Sequence, residues 1–426
     1  MQAIIAHLRH ENNVFSFLIS LGLPVGFIGI QKRRGDMRTR EIRLALGALA
    51  SIAAGAATAQ TPLTYSSNGS NVTLYGDVDY YLNYMKSSSG ARSISLQDGA
   101  ILRTRWGLRG DKDLGDGYTG KFVLEQGLND TSGAAADATR MFDRQLWAGL
   151  ATPAGEFRVG RQNTAIFYRG GYIDYTARTL GSVVNAFGVP SRYDADLAYI
   201  SPRMAGFQFE THYSAQGAAV NNTTNQGVYQ LALDFEKGPF RAGYAGIAGK
   251  APTGAAVDKT VSYNSFYGNY NYGAGKVYLV YIRSNNNGRV AGTAGGPVDL
   301  NNGGSPLSNV GNSLVAGTDT GANTFYKIPQ ISADYQLAPK VRIGGLYGRI
   351  RDDSGSGKNA AGWSIGSFWD IFRDTTLYAL ADELKNEPNA GFRPSGSAGL
   401  TKTFTAPADV NGQRIRGAHI GFVYKF

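Results

Sequence analysis

The chain has 426 residues and a formal net charge of +10, with 42% hydrophobic residues, 57 Gly, 25 Tyr, 20 Phe, 14 Pro and no Cys. Without cysteine there is no disulfide framework and no thiolate metal site. The glycine and aromatic content describes many short strands joined by glycine-rich connections, and the scattered Lys and Arg residues argue against nucleic acid as a partner.

At the N-terminus, Arg38, Arg40 and Arg43 precede the apolar stretch Leu44–Ala57, which runs into Ala57-Thr58-Ala59. A charged region, an apolar region and an A-x-A site in that order predict an export signal over 37–59, cleaved after Ala59. Residues 1–36 read as an upstream extension from a start assigned too early, although Val14–Ile30 followed by Lys32, Arg33 and Arg34 also resembles a short anchor. The mature chain is then 60–426, and losing seven basic and three acidic residues lowers its net charge to +6. Beyond the signal no run of about 20 apolar residues occurs, so any membrane crossing must be made by strands.

From Val72 the chain alternates Val72, Leu74, Val78, Tyr80, Leu82 and Tyr84 on one face with Thr73, Tyr75, Asp77, Asp79, Tyr81 and Asn83 on the other. The same period predicts further strands near 100–112, 118–129, 139–152, 155–163, 192–201, 206–215, 227–237, 239–250, 261–273, 275–287, 324–337, 340–351, 362–372, 375–387 and 415–426, sixteen with the first at 71–85. Short turns, such as 114–117 and 153–154, alternate with long connections, the longest being 164–191, 288–323 and 388–414. Loops sorted by length in this way belong to an antiparallel transmembrane β-barrel with its short turns in the periplasm; a soluble sandwich has no reason to sort them. The last strand places Phe422, Tyr424 and Phe426 on one stripe, as expected of a closing strand at an aromatic girdle.

Two enzyme-like strings fail on context. Gly115-Asp116-Gly117-Tyr118-Thr119-Gly120 fits a dinucleotide fingerprint but opens a strand, so its glycines read as turn residues. Gly362-Trp363-Ser364-Ile365-Gly366 fits a nucleophile elbow, yet Ser364 lies in an alternating stretch, and only His212 and His419 follow the signal. Ser364 therefore reads as a serine near the pore or a loop, and neither histidine has a partner at metal-ligand spacing. No catalytic, cofactor or metal site is expected.

Arginine placement carries more. In Leu102–Arg109, alternation puts Arg103, Arg105 and Arg109 on the polar face, where an aqueous lumen would solvate a cation ladder that a dry core would reject. The 28-residue segment 164–191, with Asp174 among its aromatics, reads as a packed loop that narrows the pore; its acid opposite wall arginines would set up a transverse field.

Several strings then resemble one family. Val72-Thr73-Leu74-Tyr75-Gly76, Arg105-Trp106-Gly107-Leu108-Arg109-Gly110-Asp111-Lys112-Asp113-Leu114-Gly115, Phe142-Asp143-Arg144-Gln145, Gly160-Arg161-Gln162, Tyr199-Ile200-Ser201-Pro202 and the terminal Phe426 are similar to the β-proteobacterial and neisserial trimeric porins. The resemblance implies a 16-stranded homotrimer in the outer membrane of a Gram-negative bacterium, with the third extracellular loop folded inward. It also implies passive diffusion of small inorganic and organic ions, contact with outer-membrane lipid and lipopolysaccharide, and insertion by the barrel-assembly machinery. By motif position Arg105, Arg144 and Arg192, with Arg103 beside them, become the pore arginines, although Leu146 and Leu150 would share the face of Arg144. Asp174, Tyr193, Asp194 and Asp196 become the constriction-loop residues. Asp194 and Asp196 depart from the amide and hydroxyl residues common there and put anion preference in question. An adhesin barrel, or less favourably a barrel hydrolase, remains the alternative.

Overall fold

A computed structural model of the protein describes residues 63–426 apart from 139, 215–226, 251–253, 255–258, 286–322, 398, 401–403 and 405. The expected signal and upstream extension, and nearly all of the 288–323 connection, lie outside the described residues.

The strands in order are β1 (Leu63–Ser67), β2 (Ser70–Ser87), β3 (Arg92–Asp98), β4 (Arg105–Gly115), β5 (Tyr118–Asn129), β6 (Ala134–Ala135), β7 (Gln145–Thr152), β8 (Gly155–Asn163), β9 (Arg192–Ile200), β10 (Phe207–Ser214) and β11 (Val228–Lys237). They continue with β12 (Phe240–Gly249), β13 (Val261–Asn271), β14 (Lys276–Ser284), β15 (Tyr326–Ala338), β16 (Val341–Asp352), β17 (Ala360–Phe372), β18 (Thr375–Asn386), β19 (Ser395–Gly396), β20 (Gly399–Leu400) and β21 (Arg414–Lys425). Two short helices, α1 (Ala165–Tyr168) and α2 (Val183–Phe187), lie between β8 and β9.

Neighbouring long strands pair antiparallel, and β21 returns to β2 from Asp77↔Lys425 to Ser87↔Ile415, closing a 16-stranded barrel. Strands β3 and β4 are two halves of one crossing, both paired with β2. Strand β1 pairs with the start of β2, a segment the sequence reading left unassigned. Closure leaves no open edge, which is what a sheet in hydrocarbon requires.

The faces are inverted relative to a soluble core. Outward residues are apolar and exposed, Leu279 at 58% and Ile365 at 58%, while inward polar residues such as Gln330 at 3% are covered. Outward aromatics pair across strands near both ends, Phe207–Phe235 and Phe240–Tyr270 at 4.7 Å toward the short turns and Tyr213–Tyr229 at 5.0 Å toward the long loops. These are the two interfacial girdles of a membrane barrel. The turn reading of the glycine string holds, because Gly115, Asp116 and Gly117 all have positive φ, at 87°, 52° and 80°.

One predicted strand needs correction. Residues 99–104 leave the ladder, so Arg103 lies in a bulge and β4 begins only at Arg105; β3, above the bulge, had been read as loop. Asp79 holds the bulge: its Oδ2 accepts from the N–H groups of Ile101 (2.7 Å) and Leu102 (2.8 Å), and its carbonyl accepts from that of Gly99 (3.0 Å). Tyr378 donates to the other carboxylate oxygen at 2.6 Å. No alternation pattern survives such a detour, because six residues span the place of two.

At the seam, Phe426 and Gly76 exchange both backbone hydrogen bonds, at 3.0 and 3.1 Å. The Phe426 ring lies over Gly76, where a Cβ would meet Phe426 Cζ at 2.2 Å and the Arg105 carbonyl at 2.7 Å. Gly76→Val is therefore expected to lower stability by about 1–3 kcal/mol through overpacking, read as a lower urea midpoint of the refolded barrel. Gly171→Ala, where a Cβ meets nothing within 4 Å, should leave the midpoint unchanged.

Candidate pore constriction

The segment between β8 and β9 is tied to inward-facing side chains around much of the barrel. The Ala165 N–H donates to Gln230 on β11 (3.0 Å), the Tyr175 N–H to Ser332 on β15 (3.0 Å) and the Val183 N–H to Gln330 (2.9 Å). Arg169 pairs with Glu210 on β10 at 2.7 Å, and Tyr175 shares a 3.0 Å hydroxyl contact with Ser364 on β17. Ser364 is thus a loop-docking residue, in line with its sequence reading. Thr164 and Ser182 cap α1 and α2, and Phe187 from α2 packs on Tyr326 at 5.5 Å and on Tyr263 and Phe392 at 6.3 Å. The loop crosses the lumen and covers the β10–β17 side.

Asp174 plays a different part from the one expected. It is 2% exposed, and Oδ1 accepts from Thr176 (2.9 Å from N, 2.7 Å from Oγ1) and from the Arg178 N–H (3.0 Å). Its Oδ2 accepts from Ser182 (2.7 Å) and Gln330 (2.9 Å). The carboxylate shapes the loop and fastens it to the wall, so it presents no charge to the passage. Asp174 is the only acid in 164–191, so the loop supplies cations instead. Burial pushes the Arg178 guanidinium down to about 10, which leaves it charged at neutral pH.

On the opposite wall β2, β4, β5 and β7 assemble the predicted arginines around a carboxylate that sequence reading missed. Glu125 accepts from Arg144 Nε at 2.7 Å, faces Arg105 Nε at 3.2 Å and accepts from the Tyr75 hydroxyl at 3.0 Å. Arg105 also pairs with Asp77 at 2.5 Å, while Arg109 lies 5.4 Å over the Tyr75 ring. Arg144 precedes β7 and turns inward before the alternation begins, which resolves its mixed phase with Leu146 and Leu150. Arg103 is outside this group's ladder: its backbone N–H donates to Ser397 Oγ at 3.2 Å from the bulge.

Arg192 opens β9 and lies 4.9 Å from the Phe167 ring, which Arg178 also approaches at 4.3 Å. Its Nε and one Nη find no hydrogen-bond partner among the described residues. Tyr193, Asp194 and Asp196 are on β9, correcting their expected place in the constriction loop. Asp194 pairs with Arg140 and Arg161, each at 2.7 Å. Asp196 is fully buried and bonded to His212 Nδ1 (2.6 Å) and Ser214 (2.7 Å), with Glu210 on the other ring nitrogen at 2.8 Å. Tyr193 is fully buried as well. None of these acids reaches the Arg105–Glu125–Arg144 group.

The long connection 388–414 also turns inward over its described part. Asn185 of α2 donates to the carbonyls of Ser395 (2.5 Å) and Gly396 (3.1 Å), and Asn386 to those of Phe392 (2.9 Å) and Val410 (3.0 Å). The less covered inward side chains lie on the other side of the lumen: Arg109 is exposed, Lys121 35% exposed, and Tyr168 donates to Gln145 at 3.2 Å.

Sequence comparison agrees with this architecture. An outer membrane porin protein of Bordetella pertussis is 28% identical over 375 residues, covering 78% of this chain and 91% of that protein. The major outer membrane protein P.IB of Neisseria gonorrhoeae is 26% identical over 186 residues, 42% of this chain and 51% of that protein. Among solved structures, the anion-selective porin from Comamonas acidovorans superposes with a TM-score of 0.65 at 18% identity, over 84% of this chain and all of that one, which shows the shared fold. The family model for Gram-negative porins matches residues 45–389. A closed barrel with apolar outside, polar inside and a loop across its lumen is thus an outer-membrane diffusion channel, and the chain belongs to the Gram-negative porin family.

Proposed function

We propose that this porin prefers small anions and works as a homotrimer after cleavage of an export signal at Ala59. One observation carries the preference: Arg105, Arg144 and Arg192 stand together with the carboxylates Asp77 and Glu125, and with Asp143 near Arg192, while Arg109 and Lys121 add less covered cations to the same wall and Arg192 keeps buried donors without a hydrogen-bond partner among the described residues. The acids that put the preference in question are committed elsewhere, Asp194 to two arginines and Asp196 to His212. Arginines braced by carboxylates keep their geometry, and an excess of positive charge along a hydrated wall attracts anions weakly enough to release them. The trimeric assembly is supported by family membership and by a neighbour solved in trimer form, the Vibrio cholerae outer membrane protein OmpT. The inward packing of the described part of the 388–414 connection favours a channel element over an adhesive surface. The channel reading also stands before a barrel hydrolase, since the elbow-like serine is engaged with Tyr175.

In planar bilayers under a KCl gradient, the mature chain should give stepwise conductance with an anion-selective reversal potential. The double variant Arg105→Gln/Arg144→Gln leaves Asp77 and Glu125 uncompensated and should shift the potential toward cations; an unchanged potential would remove the arginine wall as its source. Asp174→Ala breaks the loop's attachment to Gln330, and losing several hydrogen bonds to a buried charge costs roughly 1.5–3 kcal/mol each at most. The expected reading is larger, noisier single-channel steps; a quiet wild-type step would show that the aromatic packing of α2 alone holds the loop.

A further inference from the structure

Where the loop meets β9 and β10, the wall holds a histidine between two carboxylates. His212 Nδ1 lies 2.6 Å from Asp196 Oδ2, and Nε2 lies 2.8 Å from Glu210 Oε1. The other oxygen of Glu210 accepts from Arg169 Nη1 of the loop at 2.7 Å, and the other oxygen of Asp196 from Ser214 Oγ at 2.7 Å. Arg169 also donates to the Ala165 carbonyl (2.8 Å) and to the Tyr267 hydroxyl on β13 (3.2 Å), which itself donates to Asp234 (2.6 Å). Asp196, His212, Glu210 and Arg169 are all buried, none more than 5% exposed.

A carboxylate only accepts hydrogen bonds, so both contacts of His212 are hydrogen bonds only when the ring carries both protons. The charges agree. Asp196 and Glu210 bring two negative charges to the site, the Arg169 guanidinium offsets one, and an imidazolium offsets the other. The remaining neighbours leave that balance as it is. Gln230, the register partner of His212 on β11, is an amide whose carbonyl takes the Ala165 N–H, and the partner on β9 is Ala198. Arg158 on β8 is within electrostatic reach of Glu210 but is paired with Glu156 at 2.5 Å. Tyr168 of the loop and Tyr193 of β9 are the phenols near Glu210 and Asp196. Loss of one ring proton would point a lone pair at a carboxylate less than 3 Å away and leave one buried negative charge unbalanced, a costly state. Glu210 carries the effect to the loop, because the same carboxylate holds Arg169.

We infer that His212 is a positioning residue for the constriction: as an imidazolium it balances Asp196 and Glu210, and through Glu210 and Arg169 it holds the first turn of the loop against the wall. When the ring gives up its second proton, the Glu210–Arg169 attachment loosens, and the turn that carries Phe167 and Tyr168 moves more freely in the lumen. This role rests on the channel reading with the β8–β9 loop as its constriction, and it is independent of which ions the pore prefers.

The test is single-channel recording of the mature protein between about pH 5 and pH 10, the range over which a histidine held by carboxylates exchanges its second proton. Wild type should give quiet steps on the low-pH side and larger, noisier ones on the high-pH side, joined by a transition of one proton. His212→Gln keeps a polar side chain without a charge and should be noisy throughout, with the transition lost. Asp196→Asn/His212→Gln removes a negative charge together with the imidazolium. It should return quiet steps with a flat pH profile, a rescue that a mere packing role for the ring does not give. A flat wild-type profile would overturn the proposal. So would a His212→Gln protein that keeps the wild-type transition, or a double variant as noisy as the single one. Every arm reads steps from a folded, inserted barrel, so wild type without steps would strike the diffusion channel itself, whereas steps with a flat profile strike only the role of His212.

Discussion

Everything in this protein depends on the requirement that no backbone N–H or C=O be left unpaired in hydrocarbon. A single sheet meets it only by closing, and here closure is the pairing of β2 with β21, finished by the Phe426–Gly76 exchange. Closure fixes the inversion of faces: leucines, isoleucines and aromatics are the outer solvent-like surface, and polar side chains fill the inside. It also creates a lumen that must be partly filled, since side chains of a 16-stranded wall cannot meet across it. The loop with α1 and α2 does the filling.

Charges inside that lumen follow a second rule. Guanidiniums near the constriction are held by carboxylates or aromatic rings: Arg105 and Arg144 by Glu125, Arg169 by Glu210, Arg192 and Arg178 by Phe167. This bracing removes flexibility and leaves most of these guanidiniums covered, Arg144 and Arg169 at 5% and Arg178 at 8% exposure. A fully unopposed cluster would repel itself and trap its counterions; a fully neutral one would not discriminate. The balance lies in which acids are used up elsewhere, and Asp174, Asp194 and Asp196 are all engaged structurally.

Strands β14–β16 carry outward charges beyond their aromatic levels. Arg283, Lys327 and Arg351 lie past Tyr281 and Tyr347 in the direction of the long loops. Inner and outer charges therefore answer to different surroundings, although they alternate along the same strands.

The sequence by itself determined the architecture, because a period of two with one apolar face, short turns and long loops is a local signal repeated along the chain. Strands such as β5 and β8 were legible to the residue, and the arginines of the wall could be named from their motifs. Position in the strand order could not say what each arginine faces. Glu125 meets Arg105 and Arg144 only through the registers β4–β5 and β5–β7, and Asp174 meets Gln330 across 156 positions of chain. The bulge that removes Arg103 from its strand is likewise enforced by Asp79 from the neighbouring strand. Alternation is encoded one strand at a time; charge compensation is a property of pairs brought together by closure, and only the tertiary structure decides it.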